Sequence, residues 1–491
     1  MTASFDPASV DLPTGHHIAG RFLPASGGIP LRRPSDGAAH ADCPVADADC
    51  VDRAVEAAHA ALAASGWGRC TPRDRTRALQ RWADLMEAEA APLARLEAVS
   101  STRPVAQLAA GDIAVTAEQI RFFAELADKE CSELAPTAEG ALGMTVAEPY
   151  GVIAAITPWN FPISMAGWKL APALAAGNAV VIKPSELTPF STVRLAELAV
   201  RAGIPEGIVN VVLGDGPTTG AALTGHPGIG KVSFTGSTAA GAAIMENAAR
   251  TGIRPVTLEL GGKSPQIVFA DADLGLAADA IARSILANAG QACVAGSRVI
   301  VEAPVAEQLT EMLAARLARI RPGPTWAAET DYAPIVSERQ IARIEGIVGA
   351  GIAAGAELRC GAARFDREGY FYAPTLLAGV RPDNPAELAE IFGPVLTLQS
   401  FASEEEALRL ADHPVYGLCA GLYTRDLSRA LRVMRGLQSG TVWVNRYGRS
   451  RDHILPTGGY KSSGIGKDLG RAAFHACRRE KTVLIDIART E

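Results

Sequence analysis

The sequence lacks the features of a membrane protein or a nucleic-acid-binding protein. It has no uncharged apolar run near the ~20 residues that a membrane helix needs, and the apolar runs 152–156 and 179–182 are short. Residues 1–7 have no basic start and no apolar core, so we expect no signal peptide. Because 47 Lys and Arg face 53 Asp and Glu, for a net charge of −6, we expect no basic surface for nucleic acid. These absences predict a cytoplasmic protein with neither a membrane nor a nucleic-acid partner.

Cysteine pairs and a glycine fingerprint are also missing. The eight cysteines are scattered and form no C-x-x-C pair, which favours free thiols over disulfides and predicts no metal site. The G-x-G-x-x-G fingerprint of many dinucleotide-binding folds does not occur. With 48% hydrophobic and 20% charged residues, the composition is that of a globular protein. The 491 residues suggest about three domains at ~150 residues each.

Strands and helices alternate along most of the chain. Helical patterns come first, at 47–66, 73–100 and 112–129. Apolar strands then alternate with helices, with strands at 152–156, 179–182, 208–213 and 231–234 and helices at 162–176, 188–202, 217–225 and 238–251. Nearly continuous apolar strands separated by helices predict a parallel sheet that is covered on both faces. A second alternation runs from 256 to about 444, and 481–487 reads as a late edge strand.

Four segments carry candidate reactive groups. Cys293, in Gly-Gln-Ala-Cys, offers a thiol nucleophile, although a lone cysteine is often a small buried hydrophobe. Glu259 opens the segment Glu-Leu-Gly-Gly-Lys-Ser-Pro and offers a carboxylate base. The segments Thr157–Pro162 and Phe234–Ser237 lie upstream. Four such segments in this order resemble the aldehyde dehydrogenase superfamily, whose members oxidise aldehydes to carboxylic acids with a nicotinamide cofactor. The resemblance extends over nearly the whole chain.

The resemblance implies an α/β fold of the aldehyde dehydrogenase type. A cofactor-binding domain with a parallel sheet would comprise residues 1–130 and 151–260, and an α/β catalytic domain would comprise residues 261–461. A small β oligomerisation arm would comprise residues 131–150 and 477–491. Because the arm of family members reaches a neighbouring subunit, we expect a homodimer or a homotetramer.

The resemblance also implies a covalent mechanism. The thiolate of Cys293 would attack the aldehyde carbon, and the resulting thiohemiacetal would lose hydride to the nicotinamide and become a thioester. Asn160 would donate its side-chain amide to the developing oxyanion, together with the backbone N–H of Cys293. Glu259 would activate the water that hydrolyses the thioester, and Lys169 would support the site electrostatically. Family members often carry Glu where Asp468 stands, so a proton-relay role for Asp468 is an expectation by resemblance.

A dinucleotide site is implied at the carboxyl ends of the strands. Glu186 can accept hydrogen bonds from both hydroxyls of a ribose and would repel a 2′-phosphate, which favours NAD, with NADP as the alternative. The turn Phe234–Ser237 precedes a helix and can face a phosphate. By resemblance, Glu390 would hold the nicotinamide ribose and Phe392 would pack beside the ring. The cofactor-binding residues implied in this way are Ile156, Trp159, Lys183, Glu186, Gly216, Gly220, Phe234, Gly236, Ser237, Leu260, Glu390 and Phe392.

The walls of the aldehyde site are also expected by resemblance. Phe161 and Trp168 would be its aromatic walls, and Thr457 stands where family members usually carry a tunnel-lining Phe. Members specialised for aminoaldehydes often carry paired acidic residues near Asp112, but here Asp112 is followed by Ile113, Ala114 and Val115. Aminoaldehydes are therefore disfavoured, and an aromatic aldehyde is one expected substrate.

The loop at 445–453 suggests a second substrate class. It contains Arg446, Arg449 and Arg451, and arginine recognises carboxylates through its planar fork. If this loop enters the aldehyde tunnel, with Arg446 in the pocket, a carboxylate-bearing semialdehyde is the expected substrate. A solvated loop or a subunit contact is the alternative.

Two other functions compete with hydrolytic oxidation. A coenzyme A-acylating aldehyde dehydrogenase is disfavoured because such members generally lack a carboxylate at the position of Glu259. A non-enzymatic relative is disfavoured because Cys293, Glu259, Asn160 and Glu390 are all present.

Overall fold

The strands of the computed structural model follow the alternation that the sequence predicts. The structure describes residues 3–448 and 453–487. The strands, in chain order, are β1 (Gly15–Ile18), β2 (Arg21–Pro24), β3 (Ile29–Arg32), β4 (Ala39–Cys43), β5 (Leu134–Ala135), β6 (Ala141–Pro149), β7 (Val152–Ile156), β8 (Ala179–Lys183), β9 (Val209–Val211), β10 (Lys231–Thr235), β11 (Val256–Glu259), β12 (Pro265–Val268), β13 (Arg298–Glu302), β14 (Glu357–Cys360), β15 (Thr375–Ala378), β16 (Val395–Phe401), β17 (Tyr416–Gly417), β18 (Cys419–Tyr423), β19 (Thr441–Val444), β20 (Tyr460–Lys461), β21 (Gly464–Ile465) and β22 (Arg478–Asp486).

The α-helices lie between the strands along the chain. In chain order they are α1 (Ala48–Ser65), α2 (Pro72–Ala88), α3 (Ala90–Ser100), α4 (Val105–Gln107), α5 (Ala114–Leu126), α6 (Pro162–Ala175), α7 (Phe190–Arg201), α8 (Ala221–Gly225), α9 (Thr238–Thr251), α10 (Leu274–Leu286), α11 (Ala306–Leu317), α12 (Glu338–Ala353), α13 (Pro385–Leu388), α14 (Glu404–Ala411), α15 (Leu427–Gly436) and α16 (Gly470–Ala476). The Asp47 side chain caps α1, and left-handed Gly66 (φ 65°) ends it. The single helix predicted over 73–100 is two helices, because the backbone of Glu89 (φ −101°, ψ 21°) leaves helical geometry.

The first sheet brings the predicted cofactor segments to one edge. Within the described residues its strand order is β2-β1-β9-β8-β7-β10-β11-β21, and β7 to β11 pair in parallel. Every residue of β7, β8 and β10 is buried, as expected for a sheet with helices on both faces. The register places Ile156 beside both Lys183 and Phe234. The carboxyl ends of these strands therefore lie together.

A second sheet carries the segments around Cys293. In the described part of the chain its order is β14-β15-β16-β13-β12-β18-β19, parallel except where β14 joins. The segment between β11 and β12 connects the two sheets directly. Cys293 lies just before β13. Glu259 thus stands where the link between the sheets begins, and the link passes close to Cys293.

A third, antiparallel sheet stands apart in the order β22-β6-β5. Strand β22 pairs with the whole of β6, from Arg478↔Pro149 to Asp486↔Ala141. Leu484 on β22 is 73% exposed, so apolar surface of this sheet faces solvent in the single chain. The domain limits stay predictions. The first sheet includes β21, which lies beyond residue 461, the predicted end of the catalytic domain.

Residues 3–448 and 453–487 contain neither a membrane-crossing helix nor a metal cluster. No helix there has the length and apolarity to cross a membrane. In the same ranges, no group of three or more His, Cys, Asp or Glu side chains is placed to hold a metal ion. All eight cysteines fall within these ranges, and none of them forms a disulfide.

Candidate active site

Two cavities meet at Cys293. The large cavity, of about 540 Å³, lies between α5, α6, α10 and the segment around Tyr447. The central cavity, of about 280 Å³, lies between the ends of the first-sheet strands and Glu390. Phe161, Met165 and Cys293 line both cavities. A thiol at this junction can face a molecule in either cavity.

Cys293 follows a tight left-handed turn. Asn288 (φ 50°, ψ 32°) and Ala289 (φ 50°, ψ 43°) adopt a backbone that L-residues seldom take, and Gly290 follows at φ 70°. A Cβ on Gly290 would overlap the carbonyl oxygen of Gly393, so only glycine fits that close approach. The turn brings Cys293 back from the end of α10 to the junction of the cavities.

Asn160 lies against this turn. It precedes α6 and is 5% exposed. Its Nδ2 donates to the carbonyl oxygen of Gln291 at 2.9 Å, and Asn288 Nδ2 donates to the carbonyl oxygen of Asn160 at 2.9 Å. The structure thus brings the predicted oxyanion donor and the predicted nucleophile together, since both Asn160 and Cys293 line the central cavity.

The carboxylate of Glu259 lies outside the two cavities that meet at Cys293. Glu259 is the last residue of β11 and is 6% exposed, but it lines neither the large nor the central cavity. A Cβ built on Gly458 would lie 2.7 Å from Glu259 Oε1, so the carboxylate points toward the segment that carries Gly458. Its role as the base therefore stays a prediction, which requires a turn of the side chain toward Cys293.

Lys169 forms a buried ion pair with Asp468. Lys169 Nζ lies 2.6 Å from Asp468 Oδ2, and the two side chains are 1% and 6% exposed. Lys169 Nζ also lies 3.5 Å from the carbonyl oxygen of Phe234, a residue of β10 in the first sheet. The pair joins α6 to the segment after β21, behind the cavity walls.

A third cavity lies beside several of the residues predicted to bind the cofactor. This distal cavity, of about 330 Å³, lies between β7, β8, β10 and helix α9. Of the predicted cofactor residues, those that line the distal cavity are Ile156, Lys183, Gly216, Gly220 and Phe234. Those that line the central cavity are Trp159, Gly236, Ser237, Leu260, Glu390 and Phe392. Ser237 also caps α9, because its Oγ accepts from the backbone N–H of Ala240 at 3.2 Å.

Glu186, the remaining predicted cofactor residue, lies beside Lys183. Its Oε2 is 3.9 Å from Lys183 Nζ, and its side chain is 34% exposed. Lys183 Nζ donates to the carbonyl oxygens of Pro184 and Gly214, at 2.9 and 2.7 Å. Burial lowers the pKa of Lys183, and the nearby Glu186 carboxylate opposes that shift. A half-exposed carboxylate next to a held ammonium can accept hydrogen bonds from hydroxyl groups.

Glu390 and Phe392 close the central cavity from the opposite side. Glu390 Oε1 accepts from the backbone N–H of Gly262 at 2.9 Å. Burial raises the pKa of Glu390, while the Gly262 N–H and Arg343 oppose the shift. Phe392 sits at φ 55°, and its ring meets that of Trp159 edge to face, with centroids 5.4 Å apart. These two aromatic rings form a wall beside Cys293.

The large cavity has aromatic and apolar walls, among them Phe161, Met165, Trp168, Val294 and Tyr447. The structure does not bring two predicted pocket residues to it. Thr457 is buried elsewhere, because its backbone pairs with that of Asp468. Arg446 is exposed and donates to the carbonyl oxygen of Gly448 at 3.2 Å, outside the lining. The predicted Arg449 and Arg451 lie outside the described residues.

One acidic side chain in the large cavity is already paired. Arg103 Nε donates to Asp112 Oδ2 at 2.7 Å, and Arg103 Nη2 donates to Asp112 Oδ1 at 3.0 Å. The side chains are 7% and 12% exposed, and the guanidinium lies 4.6 Å from the centre of the Phe161 ring. Arg103 therefore neutralises Asp112 and packs on a cavity wall at once.

Several lining residues were not found from the sequence. Val115 and Gln119 extend the Asp112 face of helix α5 into the large cavity, and their helical spacing was the available signal. Arg283 on α10 reaches the same cavity, and Gln340 and Arg343 on α12 reach the central one. No local pattern marks these last three, because they belong to helices distant in sequence from the motifs.

Comparison with known proteins identifies the family. The aldehyde dehydrogenase family model matches residues 23–483. A solved indole-3-acetaldehyde dehydrogenase of P. syringae, crystallised with NAD⁺, is 38% identical, with 98% of each chain covered and a TM-score of 0.95. An NAD-dependent aldehyde dehydrogenase of Sinorhizobium meliloti is 37% identical, with 100% of this chain and 98% of that one covered and a TM-score of 0.96. A gamma-glutamyl-gamma-aminobutyraldehyde dehydrogenase of Burkholderia cenocepacia is 40% identical, with 98% of each chain covered and a TM-score of 0.94.

These matches confirm the predicted fold class, since they extend over almost the entire chain at high structural similarity. They also agree with the geometry, in which the Cys293 thiol lies between two cavities beside a buried amide donor. The chain belongs to the aldehyde dehydrogenase family.

Proposed function

We propose that this enzyme oxidises aldehydes with a bulky apolar, aromatic body to carboxylic acids, with NAD as the oxidant. The observation that carries the proposal is the position of Cys293, at the junction of the large and central cavities. An aldehyde in the large cavity would present its carbonyl carbon to the thiolate from one side. The nicotinamide would occupy the central cavity on the other side.

The reaction steps belong to groups at the junction. The thiolate of Cys293 bonds to the aldehyde carbon, and the carbonyl oxygen takes up negative charge. One N–H of Asn160 Nδ2 is held by Gln291, which leaves the second for that oxygen. Loss of hydride leaves a thioester on Cys293, and water then cleaves it to the acid and the free thiolate.

The chain's residues fit NAD. Trp159, Glu390 and Phe392 surround the central cavity, and Glu390 offers a carboxylate to a ribose. Lys183 and Glu186 stand beside the distal cavity, where Glu186 can accept from the hydroxyls of the second ribose. When bound, NAD supplies the acceptor for the hydride. Neighbours of this chain crystallised with NAD⁺ support the choice of cofactor.

Glu259 supplies the base for thioester hydrolysis. Its carboxylate now points toward Gly458, so the side chain turns toward Cys293 when the base is needed. During hydride transfer the Glu259 side chain stays withdrawn from the central cavity, which leaves that cavity to the nicotinamide. Glu259→Gln should therefore preserve a first turnover of NADH and slow the turnovers that follow. Loss of the first turnover would place Glu259 earlier in the reaction.

The walls of the large cavity favour an aromatic aldehyde. Phe161, Trp168 and Tyr447 offer ring surfaces, and about 540 Å³ accommodates a bicyclic molecule. The indole-3-acetaldehyde dehydrogenase of P. syringae, at 38% identity, supports this substrate class. Pairing of Asp112 with Arg103 removes the negative charge that a cationic aminoaldehyde would need.

A carboxylate-bearing aldehyde is the second candidate, favoured by Arg283. This arginine is exposed at the large cavity, and no ion pair is found for it within residues 3–448 and 453–487. Arg283 thus takes the role that the sequence suggested for Arg446. A substrate with an aromatic body and an anionic tail would satisfy both the walls and this charge.

A matched panel of aldehydes tests the substrate class by NADH formation. Arylacetaldehydes should give a higher kcat/KM than straight-chain aldehydes of equal carbon number, and aminoaldehydes the lowest. Arg283→Gln should raise KM for semialdehydes alone, while exposed Arg435→Gln on α15 serves as the charge-matched control. Preference for small aliphatic or amino aldehydes would overturn the aromatic assignment. NADH formation that requires coenzyme A would favour the acylating alternative.

The assembly is proposed from the third sheet. Strand β22 pairs on one edge with β6, and the exposed Leu484 on it and Ile487 just after it offer apolar surface for another subunit. We expect a homodimer or a homotetramer, which light scattering on the eluting protein would distinguish from a monomer. The cytoplasmic location stays a prediction.

A further inference from the structure

The strained turn before Cys293 carries a buried, hydrogen-bonded asparagine, Asn288. Asn288 is 2% exposed, and it begins the pair of consecutive left-handed residues that continues with Ala289. Neither residue is glycine, so the surrounding contacts must hold this backbone in place. Strained backbone maintained at a reactive group points to a positional requirement there.

Asn288 uses its whole amide to hold the site. Its Oδ1 accepts from Thr102 Oγ1 at 2.6 Å. Its Nδ2 donates to the carbonyl oxygens of Asn160 and Gln291, at 2.9 and 3.3 Å. The acceptor end thus faces the hydroxyl of Thr102, in the segment after α3. The donor end bonds both Asn160 and Gln291, which lie on two separate segments beside the reactive junction. This arrangement also fixes which end of the Asn288 amide is nitrogen.

Gln291 completes the same network. Its Nε2 donates to the carbonyl oxygens of Asn288 and Pro334, each at 2.9 Å, and its Oε1 accepts from the backbone N–H of Val336 at 2.9 Å. Gln291 is fully buried. These bonds hold Gln291 in place, and its backbone carbonyl oxygen is the group that accepts from Asn160 Nδ2.

The bond to Gln291 sets the rotation of the Asn160 amide. Within the part of the chain that the structure describes, Asn160 Oδ1 is buried and has no hydrogen-bond partner. The Gln291 carbonyl oxygen can only accept a hydrogen bond, so it selects the Nδ2 end of the Asn160 amide. If the amide turned over, two oxygens would face each other and the cavity would lose its donor.

We propose that Asn288 is a positioning residue that orients the oxyanion donor Asn160 through the carbonyl of Gln291. The inference rests on the proposed function, because the oxyanion role of Asn160 is part of that function. Asn288 touches neither cavity. It acts by fixing the Gln291 carbonyl and the Asn160 backbone relative to Cys293.

A double-mutant cycle tests this inference. Asn288→Gly keeps a residue that adopts φ 50° without strain and removes the amide. Asn160→Ala removes the donor. The measured quantity is the rate of the first NADH turnover, mixed rapidly at saturating NAD. Asn160→Ala should slow it by ~10²-fold, the effect of removing one oxyanion donor. Asn288→Gly should slow it at least tenfold in the parent and less than twofold in the Asn160→Ala background, because residues acting as a unit are not additive.

Three controls separate positioning from folding. Ala289→Gly makes the same backbone change next to Asn288 and should leave the rate within twofold of the parent. Alkylation of Cys293 by iodoacetamide needs no oxyanion, so Asn288→Gly should leave its rate within threefold. Thr102→Val is a milder variant that removes the hydroxyl bonded to Asn288 Oδ1. If Asn288→Gly does not fold, Thr102→Val should show the same dependence on Asn160 with a smaller loss.

The outcomes distinguish the inference from the function on which it rests. An unchanged rate in Asn160→Ala would overturn the oxyanion role, and with it the proposed mechanism. Two results would overturn the inference alone, provided that Asn160→Ala is slow. In one, the rate losses from Asn288→Gly and Asn160→Ala are additive; in the other, Asn288→Gly has the rate of the parent. If Ala289→Gly loses as much of the NADH rate as Asn288→Gly, or if Asn288→Gly greatly slows alkylation of Cys293, then Asn288 only maintains the shape of the turn. Either result would overturn its action through Asn160.

Discussion

Removal of the Asp468 carboxylate should strongly destabilise the protein. The ammonium of Lys169 lies 2.6 Å from it, with side chains 1% and 6% exposed. Asp468→Asn would leave that ammonium buried beside a neutral amide, and its other hydrogen bond, to the carbonyl oxygen of Phe234, is long at 3.5 Å. Breaking a buried pair by removing one partner costs ~3–5 kcal/mol. We expect that loss in the free energy of unfolding measured in urea by tryptophan fluorescence.

Two comparisons show whether burial is the cause. The double variant Lys169→Met/Asp468→Leu removes both charges, and it should lie within ~1 kcal/mol of the parent or above it. Asp383→Asn breaks an exposed pair with Arg381, whose side chains are 74% and 68% exposed, and should cost at most ~1 kcal/mol. The reasoning fails if Asp468→Asn costs less than ~1 kcal/mol, or if the double variant is as unstable as the single one.

Three further changes test other parts of the structure. Cys293→Ala should abolish NADH formation and leave NAD binding, followed by tryptophan quenching, nearly intact; activity near the parent level would refute the nucleophile. The parent should use NAD more efficiently than NADP, and Glu186→Gln should narrow that gap in kcat/KM, because the carboxylate repels a 2′-phosphate; equal use of both cofactors by the parent would contradict this. Burial raises the pKa of Glu97 to about 8, so from pH ~4.5 to about 8 the unfolded chain releases a proton that the folded chain keeps. Stability should therefore fall over that range of pH, and Glu97→Gln should flatten the fall in Tm; parallel Tm profiles would show that Glu97 is not its source.

The placement of most predicted cofactor residues around two cavities was predictable because it depends on strand ends. The register that places Ile156 beside Lys183 and Phe234 follows from parallel strands of similar length. Residues at the ends of such strands meet at one edge of the sheet whatever the details of packing. Eleven of the twelve predicted cofactor residues line the distal or the central cavity, as their positions in those motifs imply.

The wall of the large cavity was less predictable because it depends on packing between distant helices. Arg283 and Gln119 reach it from α10 and α5, which the sequence separates widely. Arg446 was expected there from an arginine-rich loop, but its side chain is exposed and bonds to Gly448. Charge density in a sequence indicates what a segment could bind, whereas the direction of each side chain depends on the backbone that carries it.

The direction of the Glu259 carboxylate was equally beyond the sequence. The segment Glu-Leu-Gly-Gly-Lys-Ser-Pro predicted a base near Cys293, and the structure places Glu259 at the strand end that leads there. Its carboxylate, however, lies against Gly458, a residue from the far end of the chain. A side-chain rotamer is chosen by its three-dimensional neighbours, and these came together only on folding.

The sequence by itself determined the family and the parallel strands of the first sheet, and it predicted which groups react. These follow from local patterns: apolar strands alternating with helices, and motifs whose residue types suit one chemistry. Only the tertiary structure decided that the Gln291 carbonyl accepts from the Asn160 amide, that Asn288 bonds Asn160 and Thr102, and that Arg103 pairs with Asp112. The physical reason is that hydrogen bonds and ion pairs require donor and acceptor within about 3 Å. Between residues far apart in sequence, that proximity is created by packing of the whole chain.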